Sequence, residues 1–205
     1  MSALPGAVKR IGVFGGAFDP PHIGHVTLAQ TALEQLQLDE LRVIPTGQAW
    51  HKTRVLTPAV HRLAMARLAF APLARVVVDP RETLRSGASY TIDTLLELQA
   101  EFTGAQWFLV LGQDQAQSFT SWHRWEEIQR LAIICIAARA NFTRAGGQFD
   151  ASSSGFASAR YLEMPCVPVS STDIRHAVAN RQNVDALVFE PVARYIEHHH
   201  LYRTA

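Results

Sequence analysis

Gly15-Gly16-Ala17-Phe18-Asp19-Pro20-Pro21-His22-Ile23-Gly24-His25 lies between a β-rich run, Val8–Phe14, and a helical pattern carried by Val26, Leu28, Ala29, Ala32, Leu33 and Leu36. Strand, glycine pair, proline turn and helix therefore follow one another directly. Two glycines at a strand end let a ligand come close to the backbone and expose N–H groups to it. The following helix directs the positive end of its dipole to the same place, which favours phosphate oxygens. His22 and His25 are three residues apart and share one face of the first helical turn. Gly24 between them leaves room for a nucleotide. Two imidazoles so placed can donate hydrogen bonds to phosphate oxygens as negative charge redistributes. A lone histidine at a helix start is ordinarily a cap or a solvated group. Two of them, with a glycine pair and a proline turn, argue for a site. No Gly-Lys-Ser/Thr follows the glycines, so this is not a Walker loop. The spacing Gly-x-Gly-x-x-Gly is not met at this turn either.

Outward from this turn, strands and helices alternate. Leu41–Pro45, Arg75–Asp79, Trp107–Leu111, Ala132–Ala138 and Tyr161–Met164 read as strands. Helices are expected from Pro58 through Leu68 and over Thr91–Phe102, Ser171–Asn180 and Pro191–His199. Such alternation without an internal repeat predicts a mainly parallel sheet covered on both faces, in a single domain over residues 1–205. Asn141–Ser158, rich in Gly, Ser and Ala, is expected to be a surface insertion. In such sheets ligands bind beyond the carboxyl ends of the strands. The polar stretches after strand ends fit that rule: Gly15–His25, Thr46–Lys52 and Gly112–Asp114.

Composition narrows the function classes. With 205 residues, 48% hydrophobic and 18% charged, the chain can bury a sizeable core and is not of the disordered kind. Nineteen Lys and Arg against 18 Asp and Glu leave a net charge of +1, so no broad basic field invites nucleic acid or a membrane surface. Lys9 and Lys52 are the only lysines, and the remaining basic side chains are planar arginine forks suited to phosphate or carboxylate. Cys135 and Cys166 are the only cysteines; Cys135 lies in an apolar run and reads as a small buried hydrophobe of a reducing cytosol. No secretory h-region and no membrane-length apolar stretch is expected, which points to a cytoplasmic protein. His198-His199-His200 reads as a solvated helix end, because successive residues splay by ~100° on a helix and do not converge on one metal.

The stretch Gly15–His25 resembles the HxGH signature of the nucleotidyltransferase superfamily, and Ser170-Ser171-Thr172-Asp173-Ile174-Arg175 resembles its second motif. That second segment has its own logic: Ser170 or Ser171 can cap a helix, Thr172 can donate to a phosphate, and Arg175 follows one turn on. Within the superfamily the chain is similar to bacterial nicotinate-nucleotide adenylyltransferases through Ser89-Tyr90-Thr91-Ile92-Asp93-Thr94-Leu95, Gly112-Gln113-Asp114, Trp122 and the ending Pro191-Val192 with Tyr195-Ile196. The likeness spans nearly the whole chain apart from Asn141–Ser158. Thr46 stands where members often have Asn, and Ala49-Trp50 where they often have two prolines before the pair His51-Lys52.

The resemblance implies a Rossmann-like, doubly wound α/β fold and transfer of AMP from ATP to nicotinate mononucleotide, with deamido-NAD and pyrophosphate as products. It implies His22, His25 and Arg175 as catalytic. Gly15, Gly16, Phe18, Gly24, Gly112, Asp114, Ser171 and Thr172 join them in binding ATP. Thr46, Lys52, Ser89, Tyr90, Thr91 and Trp122 are implied for the acceptor. For Asp114, a ribose hydroxyl and a helix cap are both open; for Trp122, a stacking platform and a core position. Trp107 is expected in the core. Mg²⁺ is expected to arrive with ATP rather than in a protein cage, and a homo-oligomer is left open. Rival readings are adenylylation of nicotinamide mononucleotide or pantetheine phosphate, and a non-catalytic nucleotide-binding module. The presence of both histidines and Arg175 speaks against the last.

Overall fold

Six segments pair into one sheet, β1 (Arg10–Gly16), β2 (Glu40–Pro45), β3 (Val76–Val78), β4 (Gln106–Leu111), β5 (Ile133–Arg139) and β6 (Ala159–Met164), in the order β3-β2-β1-β4-β5-β6. Every pairing is parallel. This is a computed structural model, and it describes residues 8–48, 55–139 and 159–203. Trp50, His51, Lys52 and the segment 141–158 fall outside those residues. The strand order reverses direction between β1 and β4, so the crevice beyond their carboxyl ends is where a ligand is expected.

The helices α1 (Ile23–Gln35), α2 (Ala59–Phe70), α3 (Arg81–Leu84), α4 (Thr91–Glu101), α5 (Gln113–Gln117), α6 (Trp125–Leu131), α7 (Ser171–Ala179) and α8 (Glu190–His198) cover the sheet. Strand side chains alternate between two cores. Ile11, Val13, Trp107, Leu109, Leu111, Ile134 and Ile136 pack with Ile92 and Leu95 of α4 and Ile128 of α6. Phe14, Leu41, Val43, Phe108, Val110 and Cys135 pack on the other face with α1, α2, α7 and α8. Burial on both faces explains why β4 and β5 read as unbroken apolar runs rather than alternating ones. Trp107 lies in the core as expected, and burial pushes the Cys135 thiol up to about 12.

Gly12 is a packing residue. A Cβ there would stand 2.6 Å from the Cδ1 atoms of both Leu38 and Leu41, so the β1 backbone lies directly against apolar side chains. Three short helices depart from the sequence expectation: α3 lies in what reads as a polar loop, and α5 and α6 in the stretch that carries Trp122 and Trp125. A helix of four to seven residues is too short to display an apolar period. His198, His199 and His200 are exposed at the end of α8, as a solvated helix terminus should be. Among the described residues, no helix is long and apolar enough to cross a membrane.

Candidate active site

The β1–α1 turn opens into a cleft of about 400 Å³ at the switch point of the sheet. His22 is the N-cap of α1 in extended backbone, and its N–H donates to Nδ1 of His25 (3.2 Å), which fixes one imidazole against the other. Their ring centroids are 3.7 Å apart at 32°. His25 also meets the edge of Phe18 at 5.1 Å. Phe18 adopts φ +47° and sends its ring inward, only 1% exposed, between Phe14 and Phe70. Phe18 is thus a buttress of the histidine pair as well as part of the cleft wall.

His22 is 9% exposed, and among the described residues its Nδ1 has no hydrogen-bond partner. Burial lowers its pKa to about 4, against an opposing pull from Asp173. At pH 7 it is therefore a neutral imidazole, a hydrogen-bond donor rather than a fixed cation. Gly24 is needed beside it: a Cβ would come within 3.1 Å of His22 Nδ1 and 3.2 Å of its Cε1. At Gly15 and Gly112 a Cβ would meet, beyond its chain neighbours, no atom of the described residues within 4 Å.

The opposite wall is assembled by β2, α4 and the Trp122 segment. The N–H of Thr46 donates to the carbonyl of Gly16 (2.9 Å), and that of Ser89 to the carbonyl of Gln48 (3.1 Å). Those two bonds carry Thr46 and the α4 N-terminus to the edge of the histidine turn. Tyr90 caps α4 and Thr91 begins it. Ser89 is buried, and among the described residues its Oγ has no hydrogen-bond partner. Trp122 packs its ring 5.5 Å from Phe119 while also lining the cleft, so it is at once packed and open to a ligand. Asp114, in the first turn of α5, is exposed and lines the same space beside Gly112.

At α7 the predicted residues divide. Ser170 caps the helix, accepting from the N–H of Asp173 (3.1 Å), whose carboxylate takes the Ser170 N–H in return. Ser171 lines the cleft, and its hydroxyl donates to the carbonyl of Pro20 (2.8 Å). Thr172 and Arg175 are not among the lining residues. Arg175 instead donates to the carbonyl of Asp19 (2.8 Å) and to Thr172 Oγ1 (3.0 Å). Lys52 lies outside the described residues.

Sequence reasoning missed three residues. Glu82, on α3, lines the cleft yet is buried; burial pushes its carboxyl above the usual range against a hydrogen bond from Thr94 (2.8 Å). His123 lines the cleft with its ring 4.6 Å from that of Tyr90. Arg62, 1% exposed, donates to three main-chain carbonyls: Thr57 (2.8 Å), Ala17 (2.9 Å) and Gly47 (3.3 Å). Only for Arg62 was a signal present, a charged residue within the apolar pattern of α2.

A parallel sheet of this order, with a histidine pair capping the first helix at its switch point, defines a nucleotidyltransferase of the cytidylyltransferase-like class; the cytidylyltransferase-like family model matches residues 13–177. The chain is 62% identical over 198 residues to a probable nicotinate-nucleotide adenylyltransferase of Albidiferax ferrireducens, covering 97% of this chain and all of that protein. A probable nicotinate-nucleotide adenylyltransferase of Methylibium petroleiphilum is 42% identical, with 98% and 95% covered. The chain belongs to the nicotinate-nucleotide adenylyltransferase family. In fold it is similar to the Plasmodium falciparum nicotinic acid mononucleotide adenylyltransferase complexed with NaAD, at TM-score 0.75, 20% identity and coverage of 95% and 97% of the two chains.

Proposed function

We propose that this protein transfers AMP from ATP to nicotinate mononucleotide, releasing pyrophosphate and forming deamido-NAD. The observation that carries this reading is that one cleft holds the His22–His25 pair, the Ser89–Thr91 helix start and Trp122 together. The cleft thus has a phosphate-binding end and an aromatic, hydroxyl-lined end, in a chain similar throughout its length to enzymes named for this reaction.

In the proposed reaction a phosphate oxygen of the acceptor attacks the α-phosphorus of ATP. The bond from that phosphorus to the pyrophosphate bridging oxygen breaks. The nucleophile is already anionic at pH 7, so positioning and charge stabilisation take the place of a strong base. His22 and His25 donate to the α-phosphoryl oxygens and the departing pyrophosphate. Gly15, Gly16 and Gly24 let the nucleotide lie close to the backbone, with Phe18 holding the turn from below. Thr172 and Arg175 bind the β- and γ-phosphates, Arg175 keeping one N–H on the Asp19 carbonyl, Ser171 completes that end, and Lys52 binds the acceptor. Asp114 accepts from a ribose hydroxyl beside Gly112. Trp122 stacks on the pyridine ring, and Thr46, Ser89, Tyr90 and Thr91 receive its carboxylate.

Mg²⁺ carried by ATP supplies charge screening of the triphosphate. Among the described residues no cluster of three His, Cys, Asp or Glu side chains is disposed to hold a metal. The cleft presents imidazole, hydroxyl and backbone donors that suit phosphate oxygens, so the ion would keep phosphate and water ligands. A cytoplasmic setting suits this substrate pair.

The decisive measurement is pyrophosphate release with ATP and Mg²⁺, comparing nicotinate mononucleotide, nicotinamide mononucleotide and pantetheine phosphate, with the product mass determined. Preference for nicotinate mononucleotide is the expected outcome. A strong preference for either other acceptor overturns the assignment.

A further inference from the structure

The loop Asp19–His22 is held from the far end of the chain. The Asp19 carboxylate is 1% exposed, and a buried carboxylate is tolerated only where donors meet it. The Tyr202 hydroxyl donates to its Oδ1 at 2.7 Å, and the N–H of Thr57 donates to its Oδ2 at 3.2 Å. The same residue offers its main-chain carbonyl to Arg175, and the next offers its own to Ser171. The N–H of Ile23, just after His22, donates to the carbonyl of Leu187 (3.1 Å). Asp19 is therefore the joint at which the histidine turn and the α7 arginine meet, and Tyr202 fixes that joint from beyond α8. Tyr202 takes up a left-handed backbone at φ +62° and packs against the core to reach it. Burial and the Asp19 charge hold its phenol well above the ordinary tyrosine range, so it stays a donor throughout the neutral range.

We infer that Tyr202 is a positioning residue for adenylyl transfer: through Asp19 it sets the placement of Arg175 and His22 relative to one another. This rests on the proposed function. Tyr202 touches no reacting atom; its hydroxyl orients the loop that carries His22 and anchors Arg175.

The test uses the full chain with Tyr202→Phe, and Tyr195→Phe as its control. Tyr195 makes a comparable hydroxyl contact with His61 (3.0 Å), from the same C-terminal region but away from the loop. Y202F is expected to lower kcat about tenfold while KM for ATP and for the acceptor stays within about twofold, since misplacement acts on the chemical step. Y195F is expected to leave kcat unchanged. In an Arg175→Lys background the Y202F loss should shrink, because both changes act on one joint. Unchanged kcat in Y202F, a loss carried wholly by KM, an equal loss in Y195F, or additive losses with R175K would each overturn the inference. Wild-type protein without any adenylyl transfer would overturn the proposed function, and this inference with it. If Y202F melts below the assay temperature, the wild type, Y202F, R175K and the double variant are compared at a reduced temperature. There a Y202F loss that shrinks beside R175K supports the inference, and an additive one overturns it.

Discussion

Two strand-to-helix turns flank the switch point, and they are built in opposite ways. After β1 the turn leads into a helix running Ile23–Gln35, its cap His22 is buried, and a Cβ at Gly24 would crowd the His22 ring at 3.1 Å. After β4 the helix is only Gln113–Gln117, its first turn carries the exposed Asp114, and no atom of the described residues beyond its chain neighbours stands within 4 Å of a Cβ at Gly112. Both lie at equivalent places in the sheet, so the strand framework alone does not decide what each binds. A long helix capped by neutral donors suits an anion, whereas a carboxylate at a helix start repels phosphate and accepts from hydroxyls. On the proposed function the two turns divide one nucleotide between them, phosphate to the first and sugar to the second.

The sharpest way to break this division is to remove the donors. His22→Ala or His25→Ala should lower kcat by about 10³-fold with the fold retained, as measured by steady-state turnover alongside circular dichroism. Normal turnover in either folded variant ends the assignment of the first turn. A second expectation concerns acid. His22 titrates at 6.5 when unfolded but at about 4 in the folded protein, so as pH falls from 6.5 to about 4 the unfolded chain takes up the proton first. Stability linked to this group is present above pH 6.5 and is lost by about pH 4, a change of about 3 kcal/mol. Urea unfolding across this range should show a shallower acid limb in His22→Asn than in the wild type. Next, Gly24→Ala should lower kcat roughly tenfold by pressing on the His22 ring, while Gly112→Ala should leave the melting temperature within about 1 °C. Equal thermal losses at the two glycines would contradict the contrast in their surroundings. The smallest effect belongs to Asp114→Asn, expected to raise KM for ATP about fivefold with kcat nearly intact, as suits one hydrogen bond to a ribose. A fall in kcat alone would move Asp114 out of that role.

The first turn was legible because local signals agree there: a strand, two glycines, a proline turn and a long apolar period lead to the same geometry. The second was harder, since α5 is too short for a period and Gly112-Gln113-Asp114 carries weight only through resemblance. Ser89, Tyr90, Thr91 and Trp122 all line the cleft. Glu82 was invisible for a different reason. It sits in a polar stretch, and the groups that hydrogen-bond its buried carboxyl, Thr94 and the Gly47 backbone, come from other parts of the chain. Arg175 shows a further limit. The motif predicts its residue type and helix, but its partner in this structure, the Asp19 carbonyl, is a product of tertiary folding.

The guanidinium of Arg62 has a consequence for how this fold can vary. It grips the carbonyls of Gly47 and Thr57, which stand on either side of the segment carrying Lys52, and it secures Ala17 of the histidine turn with its remaining nitrogen. An arginine keeps its charge at every physiological pH, and a lysine, with its three donors on one nitrogen, cannot reach acceptors spread along a planar fork. The anchor points are thereby made independent of whatever sequence runs between them. Insertions, deletions or grafts from a related enzyme within residues 49–56 that retain Lys52 are then expected to leave the Arg62 contacts, and the histidine turn they secure, in place.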